Sequence, residues 1–105
     1  MSDEPNKSLA DLVNCNLLGG TFVEYLDGYG FDQELGRGVI EDIGVKQDEF
    51  FVNTSTEGIF WRSNLKSGHG LYNITEKEGV FYVKFIYGAY RALAPKGVEI
   101  PKPNQ

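Results

Sequence analysis

The chain has few of the residues that build metal and disulfide sites. Its 105 residues include one cysteine, Cys15, and one histidine, His69. A single thiol cannot form an internal disulfide, and one cysteine with one histidine cannot supply the ligands of a structural zinc site. The acidic residues between positions 27 and 37 do not follow the spacing of a calcium-binding loop. We therefore predict no metal ion and no cofactor.

Proline and alanine are also scarce, and the positions of the prolines divide the chain. All four prolines lie near the ends: Pro5, Pro95, Pro101 and Pro103. The four alanines are too few for a mostly helical protein. We predict a flexible N-terminus over residues 1–7, a single domain over residues 8–94, and an extended proline-rich tail over residues 95–105 that lies outside the core.

Long apolar runs are absent as well. No run of about 18 apolar residues occurs, which excludes a membrane-spanning helix in this sequence. The first residues, MSDEPNKSLADL, are acidic and lack the apolar centre of a secretory signal. We expect a cytoplasmic protein with no membrane partner, and the sequence leaves the oligomeric state open.

Catalytic motifs are missing from the sequence. It has no glycine-rich phosphate loop, nucleophile elbow or zinc spacing. His69 stands in a glycine-rich stretch that would leave a general base mobile, and Cys15 has no adjacent basic residue to lower its pKa. We predict that the protein is not an enzyme.

One segment has a helical pattern. Ser8 with Asp11 forms a weak capping box, and Leu9, Leu12 and Leu17 fall on one stripe, which Val13 also joins. The pair at positions 19 and 20 is Gly-Gly, which ends a helix. This pattern predicts about three helical turns over residues 8–18.

Short β-branched and aromatic runs follow this segment. They cover residues 21–26, 38–43, 49–54, 58–62, 71–75 and 79–87. Two connectors end in Gly58 and Gly79, which is typical of tight hairpins with a residue at positive φ. The predicted fold is mainly β, a small antiparallel barrel or meander of five to six strands with one short N-terminal helix. Residues 87–94 fit either a last strand or a helical turn.

The order of the runs over residues 20–65 resembles a known type of barrel. One strand is followed by a long glycine-rich acidic stretch, 27–37, and then by three strands in close succession. This order is similar to that of the SH3, Tudor and KOW barrels. The resemblance concerns the fold and implies no function.

Charge is distributed unevenly along the chain. Residues 24–57 contain nine acidic and two basic residues, whereas residues 58–105 contain three acidic and seven basic residues. Like charges on adjacent strands repel, and folding does not require such an excess. We predict that the acidic segment contacts a partner with a basic surface.

Aromatic residues exceed what a small core needs. Fourteen occur, 13% of the chain. Exposed Trp and Tyr commonly anchor protein interfaces. The predicted partner-binding residues combine aromatic and acidic side chains: Asp27, Tyr29, Phe31, Asp32, Glu34, Glu41, Asp42, Trp61 and Tyr82.

These features favour a non-catalytic protein-binding module with an aromatic and acidic surface. A first alternative is a small acidic inhibitor, immunity or DNA-mimic protein that blocks a basic enzyme surface. A second is nucleic-acid binding through a C-terminal set of basic and aromatic residues, which the net charge of −5 opposes. The members of that set are Trp61, Arg62, Lys66, Tyr82, Lys84, Tyr90 and Arg91.

Overall fold

The computed structural model describes the backbone of residues 6–28, 31–66, 71–84 and 89–101, and the side chains of residues 8–26, 33–66, 73–84 and 90–101. Within these residues the chain forms eight strands and one helix. They are β1 (Asn6–Ser8), α1 (Leu9–Val13), β2 (Thr21–Gly28), β3 (Phe31–Lys46), β4 (Glu49–Thr54), β5 (Phe60–Asn64), β6 (Leu71–Lys77), β7 (Val80–Lys84) and β8 (Ala89–Ala94).

The described strands form one antiparallel sheet in the order β1-β6-β7-β8-β2-β3-β4-β5. The prediction of a mainly β, antiparallel protein with one short helix is confirmed. The described strands number eight instead of five or six, because two further segments also pair. Asn6 and Lys7, predicted to be flexible, pair with β6. The ambiguous stretch before residue 94 is strand β8, which pairs with both β2 and β7.

The predicted long connection over residues 27–37 is mostly strand. Asp27 pairs with Asp32, and β3 continues through this stretch to Lys46. Glycine permits the close packing here: a Cβ added at Gly36 would lie 2.5 Å from the Ile59 Cδ1. Gly36 therefore lets β3 pass close to Ile59, in a stretch that its glycines had indicated to be a connection.

The two predicted glycine turns are confirmed. Gly58 has φ 87° and Gly79 has φ 84°. Gly79 follows Glu78, also at positive φ, in the two-residue turn between β6 and β7. Such turns match the twist of the flanking strands.

The helix is shorter than predicted. It begins at Leu9 and ends at Val13, whereas the pattern extends to residue 18. The backbone amide of Ser8 donates to Asp11 Oδ2 at 3.1 Å, as the capping residues predict. The left-handed conformation of Asn16, at φ 57°, is incompatible with a continuing helix. The predicted apolar stripe nevertheless faces the core, since Leu9, Leu12 and Leu17 are buried.

The sheet curls into a half-barrel. Trp61 of β5 packs against Phe22 of β2 with their ring centroids 6.5 Å apart, although β3 and β4 separate these strands in the sheet. The guanidinium of Arg91, on β8, lies 5.2 Å from the centre of the Trp61 ring. Strands that are distant in the sheet therefore face one another across a concave side. That side holds the larger core: Leu9, Leu12, Leu17, Phe22, Ile40, Phe50, Val52, Trp61, Ile74, Phe81, Val83 and Leu93.

A second, smaller core lies on the other side of β2, β7 and β8. It contains Val23, Tyr25, Val80, Ala92, Ala94 and Ile100. Ile100 is only 2% exposed, so the prediction that the tail after residue 95 lies outside the core is wrong. The prolines prevent strand pairing of the tail, but they do not prevent an aliphatic side chain from filling an apolar surface.

Candidate interaction surfaces

The structure separates the predicted partner-binding residues. Tyr29 lies outside the described residues, and so do the side chains of Asp27, Phe31 and Asp32. The remaining five are described, and they do not form one surface: Glu34, Glu41, Asp42, Trp61 and Tyr82.

Trp61 is a core residue and not an exposed anchor. Its side chain is 4% exposed and packs edge-on against Phe50, with centroids 5.0 Å apart and an interplanar angle of 73°. The ring lies on the concave side, beside Phe22. The prediction of an exposed Trp61 is therefore wrong, because the side chains of β5 alternate and Trp61 occupies an inward position.

Arg91 also lies on the concave side. Its Nη2 donates to Glu24 Oε2 at 3.1 Å, and its guanidinium lies over Trp61. Strand register explains the pair, because Glu24 and Arg91 are direct cross-strand partners. Two members of the predicted nucleic-acid-binding set, Trp61 and Arg91, thus contact each other inside the half-barrel.

Glu34 is paired within the chain. The Arg37 Nε and Nη2 atoms donate to its two carboxylate oxygens at 2.9 and 2.7 Å. Hydrogen bonding to Glu34 raises the pKa of Arg37 above its ordinary value. Glu34 therefore contributes little uncompensated negative charge for a basic partner.

Tyr82 belongs to a row of three tyrosines, which we call the tyrosine face: Tyr82, Tyr90 and Tyr25. The Tyr82 and Tyr90 ring centroids are 6.4 Å apart, and the Tyr90 and Tyr25 centroids are 4.8 Å apart. Tyr82 is half-buried, and burial, followed by the charge of Glu78, raises its pKa. This predicted site residue is thus on an outer surface but partly covered.

Residues 98–101, which we call the strap, lie on the tyrosine face. The Tyr25 hydroxyl donates to the Pro101 carbonyl at 2.8 Å, and Arg37 Nη1 donates to the Ile100 carbonyl at 3.3 Å. A cavity of about 430 Å³ opens beside the strap. Its lining residues are Thr75, Lys77, Glu78, Val80, Tyr82, Glu99 and Pro101.

A different aromatic surface lies on the outer side of β3, β4 and β5. We call it the phenylalanine face and define it by Asp42, Phe51, Asn53, Phe60 and Arg62. Register places these residues together, because Phe51 pairs with Arg62, and Asn53 pairs with both Asp42 and Phe60. Cross-strand partners share a side of the sheet, opposite to the side that buries Phe50, Val52 and Trp61.

Phe60 and Arg62 dominate the phenylalanine face. Phe60 is 53% exposed, and Arg62 is exposed beside it. The Arg62 guanidinium lies 5.5 Å from the centre of the Phe60 ring and 6.0 Å from that of Phe51, and its Nη2 donates to Asn53 Oδ1 at 3.0 Å. A depression of about 320 Å³ adjoins the arginine; it is lined by Asp42, Lys46, Gln47, Glu49, Phe51, Asn53 and Arg62.

Phe51 and Phe60 were not among the predicted partner-binding residues, whereas Asp42 was, and it lies on this face. Glu41, also predicted, is exposed next to Asp42 at a bulge in β3. The available signal was the spacing of Phe60 and Arg62, which puts them on one side of a strand and Trp61 on the other. Alternation alone does not say which side faces the core.

Two classes of site receive no support from the described part of the chain. No helix there is long and apolar enough to cross a membrane. Among the same residues, no three His, Cys, Asp or Glu side chains are grouped closely enough to hold a metal ion. Comparison of the chain with protein-family models, curated proteins and solved structures finds no match.

Proposed function

We propose that this chain is a non-catalytic protein-binding module and that the phenylalanine face contacts the partner. The observation that carries the proposal is the exposure of Phe60 beside an arginine held over two aromatic rings. A few residues carry most of the binding energy in a protein interface, with arginine enriched among them, and phenylalanine is enriched at interfaces relative to the rest of the surface. Phe60 would enter a pocket of the partner, and Arg62 would hydrogen-bond at its edge.

Arg62 and Phe51 of this face are held by contacts within the chain before any partner binds. Asn53 and the two rings fix the Arg62 guanidinium. The Phe51 ring lies close to Gly44, where an added Cβ would come within 3.3 Å of it. Binding would therefore immobilise few rotamers, which lowers its entropic cost.

Charge indicates the chemistry of the partner. Around the face, the exposed charged residues of β3–β5 and their turns are Glu41, Asp42, Lys46, Asp48, Glu49, Glu57, Arg62 and Lys66. Acidic residues exceed basic ones, and Lys66 is paired with Asp48 at 3.3 Å. A partner with a basic rim around an apolar pocket complements this arrangement, and the charges would chiefly speed association.

The SH3, Tudor or KOW type of barrel remains a prediction. Strands β2 to β5 run as consecutive antiparallel neighbours, as that resemblance requires. Tyr82, Tyr90 and the strap lie outside residues 20–65, which carry the resemblance, whereas Tyr25 lies within them. The proposed function rests on the phenylalanine face and not on the barrel type.

The experiment is affinity capture from extracts of the source cells with three forms of the purified chain. These are the wild type, Phe60→Ala and Leu18→Ala. Leu18 is the matched control, because it is 58% exposed and lies outside the phenylalanine face. Captures are made with and without nuclease treatment, at low and high salt, and the bound proteins are identified by mass spectrometry.

We expect a protein that the wild type and Leu18→Ala retain and that Phe60→Ala loses. High salt should reduce its recovery only partly, because an apolar anchor persists when charges are screened. Retention by all three forms would refute the proposal. Binding that high salt abolishes and Phe60→Ala leaves intact would favour the acidic inhibitor instead, and binding lost with nuclease would favour nucleic acid.

A further inference from the structure

The contacts between the strap and the sheet are of kinds that a separate peptide could also make. Val98 and Ile100 contact the outer side of the sheet through their side chains, and Ile100 is buried in the smaller core. Two side-chain hydrogen bonds also join the sheet to consecutive carbonyls of the strap, those of Ile100 and Pro101. Residues 98–101 form no ladder with a strand.

The groups that hold the strap are positioned independently of it. Arg37 is fixed by its two hydrogen bonds to Glu34, and Tyr25 is stacked on Tyr90. These donors bind backbone carbonyls, which every peptide has, whereas the apolar site around Ile100 selects one side chain. Grooves that bind extended, proline-containing peptides combine the same two elements: aromatic walls and donors to carbonyls.

The connection to the strap is a turn. The Val98 amide donates to the Pro95 carbonyl at 3.0 Å, and Gly97 has φ 93°. The 430 Å³ cavity beside Glu99 and Pro101 continues along Tyr82, Thr75 and Lys77. The groove is therefore wider than residues 98–101, which lie along one side of it.

We propose that the tyrosine face is a peptide-binding groove, whose ligand is an extended segment of a partner protein carrying isoleucine followed by proline. The strap is its built-in occupant and competes with that segment. The chemistry of the ligand is that of the strap itself: an isoleucine enclosed by Val23, Val80 and Ala92, with the carbonyls of the Ile-Pro pair bound by Arg37 and Tyr25. This site is separate from the phenylalanine face and does not rest on its function.

The test uses the full chain and a fluorescein-labelled peptide with the sequence of residues 96–101, Lys-Gly-Val-Glu-Ile-Pro. Ile100→Asp opens the groove, because a carboxylate cannot be buried in the apolar site. Fluorescence anisotropy compares this variant with the wild type and with Leu18→Asp, an apolar-to-acid change at an exposed position. A second peptide carries Asp in place of Ile.

We expect Ile100→Asp to bind the isoleucine peptide at least about tenfold more tightly than the wild type and Leu18→Asp do, since a tethered strap competes at an effective concentration on the order of millimolar. Adding Phe60→Ala to Ile100→Asp should leave this binding unchanged, which separates it from the proposed function. Where Ile100→Asp is unfolded at the assay temperature, the isoleucine peptide should raise its melting temperature. Equal binding of both peptides, or neither binding nor a rise in melting temperature, would overturn the proposal.

Sedimentation of the wild type over the same concentrations tests whether the strap of a second copy of the chain occupies the groove instead. A monomer is expected. A dimer that Ile100→Asp dissociates would assign the groove to the strap of a second copy and overturn its assignment to a partner protein.

Discussion

The phenylalanine face and the tyrosine face are both aromatic outer surfaces of one sheet, and they differ in what covers them. Tyr25 and Tyr90 are packed with residues 98–101, whereas Phe60 is 53% exposed and has the Arg62 guanidinium over its ring. Both faces carry an arginine held by a neighbour, Arg37 by Glu34 and Arg62 by Asn53. On the covered face the arginine binds a carbonyl of the chain. The proposed function assigns Arg62 the same role toward a carbonyl or carboxylate of the partner.

Substitutions at two adjacent residues of β5 should differ most in their effect on the free energy of unfolding. Trp61→Ala removes a ring enclosed by Phe22 and Phe50 and should lower the free energy of unfolding by about 3–5 kcal/mol. Phe60→Ala removes a half-exposed ring and should lower it by about 1 kcal/mol or less. Urea unfolding followed by circular dichroism measures both. Similar losses for the two variants would show that Phe60 is a structural residue and would remove the contrast between the faces.

Much of the fold could be predicted from the sequence, because it depends on local patterns. Gly58 and Gly79 marked turns, and the leucine stripe marked the buried side of α1. The side of the strand that faces the core could not be predicted for β5, since Phe60, Trp61 and Arg62 make both sides aromatic or amphipathic. The curl of the sheet determines which side of β5 faces the core, because it brings Trp61 against Phe22, a contact between residues 39 positions apart.

The strap could not be predicted for a related reason. Its prolines correctly indicated that residues 95–101 would not be regular structure, but the site that encloses Ile100 is assembled from β2, β7 and β8. The acidic surface was predicted only in part. Asp42 lies on the phenylalanine face, whereas Glu34 is paired with Arg37 three residues further along β3. Glu24 is paired with Arg91, which the pairing of β2 with β8 brings next to it.

A second prediction concerns the strap. Ile100→Ala should lower the free energy of unfolding by about 2–4 kcal/mol, because it leaves a cavity in the smaller core. The matched control is Val39→Ala, at a β-branched position that is half-exposed. Thermal denaturation of the two variants gives the comparison. A loss for Ile100→Ala no greater than that for Val39→Ala would mean that the strap does not cover the tyrosine face in solution.

A smaller effect is expected at the ion pair that positions the strap donor. Glu34→Gln keeps the shape of the side chain but weakens the bidentate pair with Arg37, which should cost about 1 kcal/mol at low salt. The loss should shrink in high salt. Because Glu34 raises the pKa of Arg37, which stays protonated throughout, the effect should persist unchanged between neutral pH and about pH 9. Glu57→Gln, at an exposed turn position, is the control. If Glu34→Gln lowers the free energy of unfolding no more than Glu57→Gln does, the ion pair between Glu34 and Arg37 does not stabilise the fold.

The most direct test of the central claim is the affinity of the captured partner for two variants, one on each face. Phe60→Ala should weaken binding by about tenfold or more, as removal of an interface anchor does. Tyr82→Leu, which keeps an apolar side chain on the tyrosine face, should bind as the wild type does once circular dichroism has shown that it is folded. Loss of affinity in Tyr82→Leu with full affinity in Phe60→Ala would contradict the account and assign the partner to the tyrosine face.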